Sequence, residues 1–153
     1  MGMSAIDISA SGMRAQRLRM EIIANNLANV ETTSALKTSE VDGQGKQYVE
    51  HSPYRRKEVV FEIGGVDKND KNFGVSVPMI VDDESDFRYE FNPGHRHAVK
   101  NPDNPDFGRV RLPNVDPMVE MVDMIAASRA YEANITAVET SKNMGSATMR
   151  ILA

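Results

Sequence analysis

The sequence predicts an elongated α+β fold in which long N- and C-terminal helices form an antiparallel, coiled-coil-like pair with a small antiparallel β segment between them. Residues 4–30 and 118–152 contain no proline and carry apolar residues at helical spacing. The residues between them alternate apolar and polar side chains in short runs, which is typical of strands. At about 1.5 Å per residue the second helix would be about 50 Å long, longer than a compact domain of this size is wide.

The first predicted helix spans residues 4–30 and is apolar on two sides. One line repeats every seventh residue, as a helix–helix seam requires, and consists of Ile6, Met13, Met20 and Leu27. The other line consists of Ile8, Ala15, Leu18 and Ile22. Arg17 interrupts the seam. A helix with two apolar lines needs more neighbours than one partner helix provides.

The stretch "ANNLANV" places three asparagines at the end of this helix, although asparagine is a poor helix former. Asn25, Asn26 and Asn29 fall within one arc of a helical wheel. Two interpretations stay open. The helix continues and the amides bond to a neighbouring chain, or the helix ends at Asn29.

The middle of the chain divides into a polar linker at residues 31–53 and a small β segment at residues 54–116. Alternation predicts strands around residues 58–63, 75–81 and 87–91, joined as one small antiparallel sheet. Residues 92–114 are rich in Pro, Gly, Asn and Asp and are predicted to form an exposed loop with a short strand at 109–112.

The second helix is predicted over residues 117–152. Asp116 is a favourable N-cap, Pro117 suits the first helical position, and Glu120 favours the positive helix end. The heptad seam of this helix comprises Met121, Met124, Ser128, Tyr131, Ile135, Val138, Lys142, Gly145, Met149 and Leu152.

Composition excludes several classes of function. The net charge of −4 arises from 18 basic and 22 acidic residues spread along the chain, which does not favour nucleic-acid binding. With no cysteine, the chain has no disulfide, thiolate metal site or cysteine nucleophile. It contains no apolar run long enough to span a membrane and no pattern of a cleaved secretory signal at its start.

No motif predicts catalysis, a cofactor or a metal site. His95 and His97 share a spacing that two metal ligands can adopt, but no third ligand is indicated, which favours a solvated loop. The acidic run at residues 82–86 lacks the pattern of a calcium loop and is predicted to be a charged turn. We find no dinucleotide, phosphate-loop or nucleophile-elbow motif, and we expect a protein that is not an enzyme.

Two long motifs resemble one known family. "NNLANV" following "SASGMRAQRLRMEIIA" resembles the N-terminal signature of bacterial flagellar rod and hook axial proteins. "PNVDPMVEMVDMIAASRAYEANITAVETSKNM" resembles the C-terminal end of the proximal-rod branch of that family, the FlgC type. "YRRKEVVFE", "DDESDFRYEFNPGH" and "GRVRLPNVD" match between them, so that the resemblance covers nearly the whole chain.

The resemblance implies a structural subunit of the flagellar basal body. Such a subunit is exported by the flagellar type III apparatus without a cleaved signal peptide. It packs with itself, with other rod proteins and with the basal-body adaptor protein at the export gate into the helical drive shaft that transmits torque. The assembly domain would be residues 1–30 with 117–153, and we expect both helix ends to become ordered on assembly.

On this interpretation the terminal helices carry the contacts between subunits. The residues predicted to lie there are Ile6, Ile8, Met13, Leu18, Met20, Ile22, Asn25, Asn26, Leu27, Asn29, Met121, Met124, Arg129, Tyr131, Asn134, Ile135, Val138 and Met149. Arg17 and Lys142, the charged seam positions, either pair across an interface or extend into solvent. The alternative function is an export-linked adaptor or a membrane-surface protein using the same amphipathic helices.

Overall fold

A computed structural model describes residues 5–41, 47–63 and 74–152. It shows two helices and three small two-stranded sheets, which confirms an α+β fold. The elements in chain order are α1 (Ala5–Ala28), β1 (Leu36–Val41), β2 (Gln47–Ser52), β3 (Lys57–Ile63), β4 (Val75–Asp82), β5 (Arg88–Phe91), β6 (Arg109–Leu112) and α2 (Pro117–Leu152).

Helix α2 begins and ends as the sequence predicts. The Asp116 carboxylate accepts a hydrogen bond from the Met118 backbone N–H at 2.9 Å, so Asp116 is the N-cap and Pro117 the first helical residue. Helix α1 ends at Ala28, two residues before the predicted end. Of the two interpretations of "ANNLANV", termination of the helix is therefore the one that the structure shows.

The predicted single sheet of three strands is wrong. Strand β3 pairs with β4, but β5 pairs with β6, antiparallel, with Arg88 opposite Leu112 and Phe91 opposite Arg109. The acidic run does not close a hairpin, because β4 and β5 belong to different sheets. Within the run the Asp83 carboxylate accepts a hydrogen bond from the Ser85 backbone N–H at 2.8 Å. The predicted short strand at residues 109–112 is confirmed as β6.

The predicted linker also contains a hairpin. Strands β1 and β2 pair antiparallel, with Leu36 opposite Ser52 and Val41 opposite Gln47. Their sequences, "LKTSEV" and "QYVEHS", show little apolar alternation. Backbone hydrogen bonds between the two strands hold the hairpin together. Such bonds do not depend on the identity of the side chains, so the sequence carries no clear signal of this hairpin.

The chain forms two compact units. One is drawn from Met1–Ala24, Glu58–Val81 and Met121–Ala153, and the other from Asn25–Lys57 and Asp82–Glu120. The first unit therefore combines most of both helices with β3 and β4. The sequence predicts these two strands in one β segment with the strands that follow them. Its buried apolar residues are Ala15, Ile23 and Ala127, and those of the second unit are Ala98, Val110 and Val115.

Within the first unit α1 buries a different face from its predicted heptad seam. Ser11, Ala15 and Ile23 are buried, whereas Ile6 is exposed and Met13 and Met20 are half-buried. The Ser11 hydroxyl accepts a hydrogen bond from the Val75 backbone N–H at 3.0 Å and donates one to the Ile8 carbonyl at 2.6 Å. Two of these buried side chains, Ser11 and Ala15, are small and allow neighbouring backbone to approach α1 closely.

Two contacts join α1 to α2 in the same unit. Arg19 Nη2 lies 3.2 Å from Asp123 Oδ1. A Cβ atom at Gly12 would lie 3.1 Å from Asn134 Oδ1, so the absence of a side chain at Gly12 makes room for Asn134. Gly12 is paired with Asn134 and the later residue Arg19 with the earlier residue Asp123, so the two helices run antiparallel.

Replacing Gly12 tests this contact. We expect Gly12→Val to lower the free energy of unfolding by about 1–3 kcal/mol, because the added carbons displace Asn134 from a packed position. Asn134→Ala in the same chain should restore part of the loss. Urea denaturation followed by circular dichroism measures both values. Equal stability of wild type and Gly12→Val would show that α1 and α2 do not pack closely here.

Candidate functional site

Asn26, in the last turn of α1, lies at the centre of a buried polar cluster in the second unit. Its side chain is 1% exposed. Its Nδ2 donates to the Lys57 carbonyl at 2.9 Å and to Glu120 Oε2 at 3.2 Å. Its Oδ1 accepts from the Tyr54 hydroxyl at 2.9 Å and from the Lys57 backbone N–H at 3.0 Å. Two donors and two acceptors are the full capacity of an amide.

This position argues against the predicted role of Asn26 as a contact between subunits. A side chain buried inside its own chain, with each hydrogen-bonding position used there, has nothing left to offer a neighbour. Asn26 instead holds the end of α1 against the first residue of β3 and the first turn of α2.

Glu120 is the charged partner in this cluster, and its side chain is fully buried. Its Oε1 accepts a hydrogen bond from Arg56 Nε at 2.6 Å. The same guanidinium reaches Asp83 through Nη1 at 3.4 Å, and the Arg56 backbone N–H donates to Asn114 Oδ1 at 2.8 Å. The buried carboxylate is thus compensated by one cation and one amide.

The cluster also shifts the titration of its neighbours. The hydrogen bond from the Ser85 backbone N–H, helped by Arg56, lowers the pKa of Asp83. Burial raises the pKa of the Tyr54 phenol. A hydrogen bond to Asp82 at 2.8 Å raises the pKa of Lys57. None of these shifts places a group near neutral pH, which a general acid or base would need.

The other two asparagines of the motif bond to each other. Asn29 Nδ2 donates to the Asn25 carbonyl at 2.9 Å and to Asn25 Oδ1 at 2.8 Å, and the Thr32 hydroxyl donates to Asn29 Oδ1 at 3.0 Å. Asn25 is exposed and Asn29 is half-buried. These bonds satisfy the backbone and side chains where α1 ends.

The three histidines come together in the second unit. The rings of His51 and His97 stack with centroids 4.3 Å apart, and His95 meets His97 edge-on at 5.5 Å. The hydroxyls of Thr33 and Ser34 lie 2.7 Å from the Nδ1 atoms of His97 and His51, respectively. His95 and His97 lie in an irregular segment, as predicted, but their side chains are half-buried because the rings pack on one another and on His51.

Across the residues that the structure describes, no group of three or more histidine, cysteine or acidic side chains is arranged to hold a metal ion. In the same part of the chain, no helix combines the length and apolar character that crossing a membrane requires.

The remaining predicted interface residues differ in how far their side chains are exposed to solvent. Five of the helix positions in the first unit are exposed: Ile6, Ile8, Met121, Arg129 and Met149. Nine others in that unit are half-buried: Met13, Leu18, Met20, Ile22, Met124, Tyr131, Asn134, Ile135 and Val138. Leu27, in the second unit, is half-buried as well. The Thr136 hydroxyl donates a hydrogen bond to the Glu132 carbonyl of its own helix at 3.1 Å.

The heptad seam missed three of the most exposed apolar side chains of α2. Val122 is 64% exposed, Ile125 56% and Met144 67%. Val122 and Ile125 each follow a seam residue, Met121 and Met124, by one position, so they lie on the neighbouring side of the helix. Tyr54 and Arg56 were also missed, because their roles depend on meeting distant residues across the fold, Asn26 for Tyr54 and Glu120 for Arg56.

Removing the buried carboxylate tests the cluster. We expect Glu120→Ala to lower the free energy of unfolding by about 3 kcal/mol or more, because Arg56 and Asn26 lose a buried acceptor. Glu120→Gln, which keeps an acceptor oxygen, should cost less. The control is Asp123→Ala at the part-exposed pair with Arg19, with a loss below about 1 kcal/mol. Similar losses at both positions in urea denaturation would contradict a central role for Glu120.

Asp83 predicts how stability depends on pH. Its pKa is lower in the folded state, so it contributes stability above the usual aspartate pKa of about 3.9 and loses it as the pH falls through the folded value. Asp83→Asn should therefore flatten the fall in unfolding free energy between about pH 5 and pH 2. Glu84→Gln, at an exposed side chain, is the control. Identical pH profiles for wild type and Asp83→Asn would refute the assignment.

Comparison with protein families gives two matches at the two ends of the chain. Residues 6–35 match the family described as flagella basal body rod protein. Residues 108–151 match the family described as flagellar basal body rod FlgEFG protein, C-terminal. The first match contains the asparagine motif, and the second contains Glu120.

Individual relatives match over nearly the full length. Flagellar basal-body rod protein FlgC of Bacillus subtilis is 37% identical over 151 residues, covering 92% of this chain and 91% of the relative. FlgC of Borreliella burgdorferi is 37% identical, covering 97% and 96%. FlgC of Aquifex aeolicus is 38% identical, covering 92% and 90%. With this identity along almost its whole length, the chain belongs to the FlgC family of flagellar basal-body rod proteins.

Proposed function

We propose that this chain is a structural subunit of the proximal rod of the bacterial flagellum. It polymerises through α1 and α2, together with other rod proteins, into the helical drive shaft that transmits torque. The observation that carries the proposal, beside family membership, is the amount of large apolar surface that the helices leave exposed. A monomer seldom leaves such side chains in water without a partner to cover them.

The exposed side chains lie along both helices of the first unit. Ile6 and Ile8 are exposed at the start of α1, while Val122, Ile125 and Met144 are exposed along α2. The predicted interface residues of the two helices, without Asn26, remain our proposed contacts. Methionine suits such contacts because its flexible side chain adapts to partners of different shape.

The two helices pair antiparallel in this proposal. The contacts of Gly12 with Asn134 and of Arg19 with Asp123 support that direction. The pairing has the antiparallel direction of a coiled coil, but on α1 it is Gly12, and not a large apolar residue, that lies against Asn134. The large residues of α1 are then available to a second subunit.

Assembly takes place in the basal body after export by the flagellar type III apparatus, without cleavage of a signal peptide. The first contacts are with the basal-body adaptor protein at the export gate and with other rod proteins. The ends of both helices become ordered as neighbours cover them, because isolated exposed helical turns are only marginally stable in water.

Motility complementation tests the proposal. In cells lacking the endogenous protein, Ile125→Asp should abolish swimming and prevent rods from forming, because it places a charge on a surface that assembly buries. The purified variant should keep its unfolding midpoint, since Ile125 is exposed in the monomer. Glu139→Ala, also exposed on α2, is the control and should swim.

Electron microscopy of isolated basal bodies provides the direct readout. A chain truncated after Asp116 lacks α2 and should give no rod. Normal rods from the truncated chain, or from Ile125→Asp, would overturn the proposal. Normal rods combined with binding of the purified chain to lipid vesicles would favour a membrane-surface protein instead.

A further inference from the structure

Arg55, in the segment before β3, differs from the other half-buried arginines. Four arginine residues in the described part of the chain are half-buried. Three of them have a nitrogen no more than 3.5 Å from a carboxylate oxygen, whereas no described carboxylate lies that close to Arg55. Burying a cation without an anion to balance it is costly, so the position of Arg55 needs a reason. The three pairs are Arg19 with Asp123, Arg56 with Glu120 and Arg111 with Asp106.

The fold holds the Arg55 guanidinium in one orientation. Its Nη1 donates a hydrogen bond to the Asp83 carbonyl at 2.8 Å and a longer one to the Ser85 carbonyl at 3.4 Å. Its central carbon lies 4.4 Å from the centroid of the Phe87 ring, where the cation and the ring attract each other. Within the described part of the chain only Nη1 is used, so Nε and Nη2 keep their N–H groups in a plane that suits the two oxygens of a carboxylate.

Arg55 lines a cleft of about 300 Å³ in the second unit. Lys57 and Asp82 also line the cleft and pair with each other, with Lys57 Nζ 2.8 Å from Asp82 Oδ1. The side chains that line the cleft therefore carry two positive charges and one negative charge. Phe87 and Pro53 add an apolar wall. A concave site that combines apolar walls with a few placed polar groups is typical of ligand recognition.

We propose that this cleft binds an aspartate or glutamate side chain of another rod protein. The incoming carboxylate accepts two parallel hydrogen bonds from Nε and Nη2 of Arg55, and an apolar neighbour of the acidic residue packs against Phe87 and Pro53. Binding then balances the charge of Arg55. The proposal rests on the proposed function and adds to it a contact outside the two long helices.

Charge and surface chemistry together favour a protein segment over a free anion. The Asp82 carboxylate is paired with Lys57. The Asp83 carboxylate lies 3.4 Å from Arg56, and Asp83 meets Arg55 only through its backbone carbonyl. An external carboxylate therefore meets a cation that has no such partner. A small hydrated anion gains nothing from the apolar wall, whereas a peptide buries apolar atoms there. Arginine beside aromatic rings is also typical of the centre of protein interfaces.

A second copy of this chain fits the cleft less well than another rod protein does. The acidic run of this chain carries Glu84 and Asp86, both exposed, and it lies in the sequence directly between the cleft residues Asp82 and Phe87. A second copy that docked through this run would bring its own cleft against the first, and the two equal contacts would close as a dimer. A shaft that extends needs contacts between different surfaces, which another protein supplies.

Two variants test the cleft. Arg55→Lys keeps the positive charge and a donor for the Asp83 carbonyl but loses the paired N–H groups. In cells lacking the endogenous protein, we expect it to lower the number of rods about tenfold, because one of the two parallel hydrogen bonds is lost. Ala35→Trp fills the cleft from an exposed position and should abolish rods. Both purified variants should unfold at thermal midpoints close to that of wild type.

Arg96→Lys and Lys100→Trp are the matched controls, because both residues are exposed in the second unit and neither lines the cleft. Both should form rods at the wild-type level. Normal rods from Arg55→Lys and Ala35→Trp, or equal losses in the controls, would overturn the inference. The proposed function would then still stand on the loss of rods in Ile125→Asp, whereas normal rods from Ile125→Asp would count against that function itself.

Photocrosslinking identifies the occupant and does not depend on the stability of these variants. A benzophenone amino acid at Glu84, exposed on the run between Asp82 and Phe87, should link the chain in isolated basal bodies to another rod protein. Mass spectrometry should place the link in a segment that contains aspartate or glutamate. The same amino acid at Lys100 is the control and should not reach that segment. Links only to a second copy, links only to segments without an acidic residue, the same links from both positions, or no link in normal rods would overturn the assignment.

Discussion

A buried carboxylate must be compensated by a cation and by hydrogen bonds, and this constraint organises the second unit. Glu120 leaves one oxygen to Arg56 and the other to Asn26. Because these partners come from the segment before β3 and from the last turn of α1, satisfying one carboxylate fixes three parts of the chain against one another. The loss of any partner leaves an uncompensated buried polar group, so the three residues act as a unit.

The helices could be predicted from the sequence because their signals are local. Pro117 and Asp116 mark the start of α2, and apolar spacing marks its length. The partner of Asn26 could not be predicted, because Glu120 is 94 residues away and nothing in either local sequence identifies the other. The sequence also misassigned the buried face of α1, because Ile6 and Met13 belong to the heptad line whereas Ser11 and Ala15 are the buried residues.

The burial of small residues and the exposure of large ones on α1 have a physical basis. Within one chain, small side chains let the backbone of α1 come near its neighbours, and each close contact excludes water over a long strip. Large flexible residues such as the ten methionines are more useful where the neighbour differs from one contact to the next. Many of the apolar residues of this chain therefore lie on exposed surfaces and not in the core. For this reason the seven-residue repeat of apolar residues in α1 did not identify the buried face of the helix.

The saturated amide of Asn26 has a chemical consequence for the lifetime of the protein. Hydrolysis of that amide would replace Nδ2, which lies 3.2 Å from Glu120, with a second carboxylate oxygen. Two carboxylates at this separation cannot both remain ionised, so one would have to bind a proton or the cluster would open. Burial keeps water away from the amide, and the helix around it restrains the backbone. Burial thus protects Asn26 at a position where a single chemical change would disrupt the cluster around Glu120.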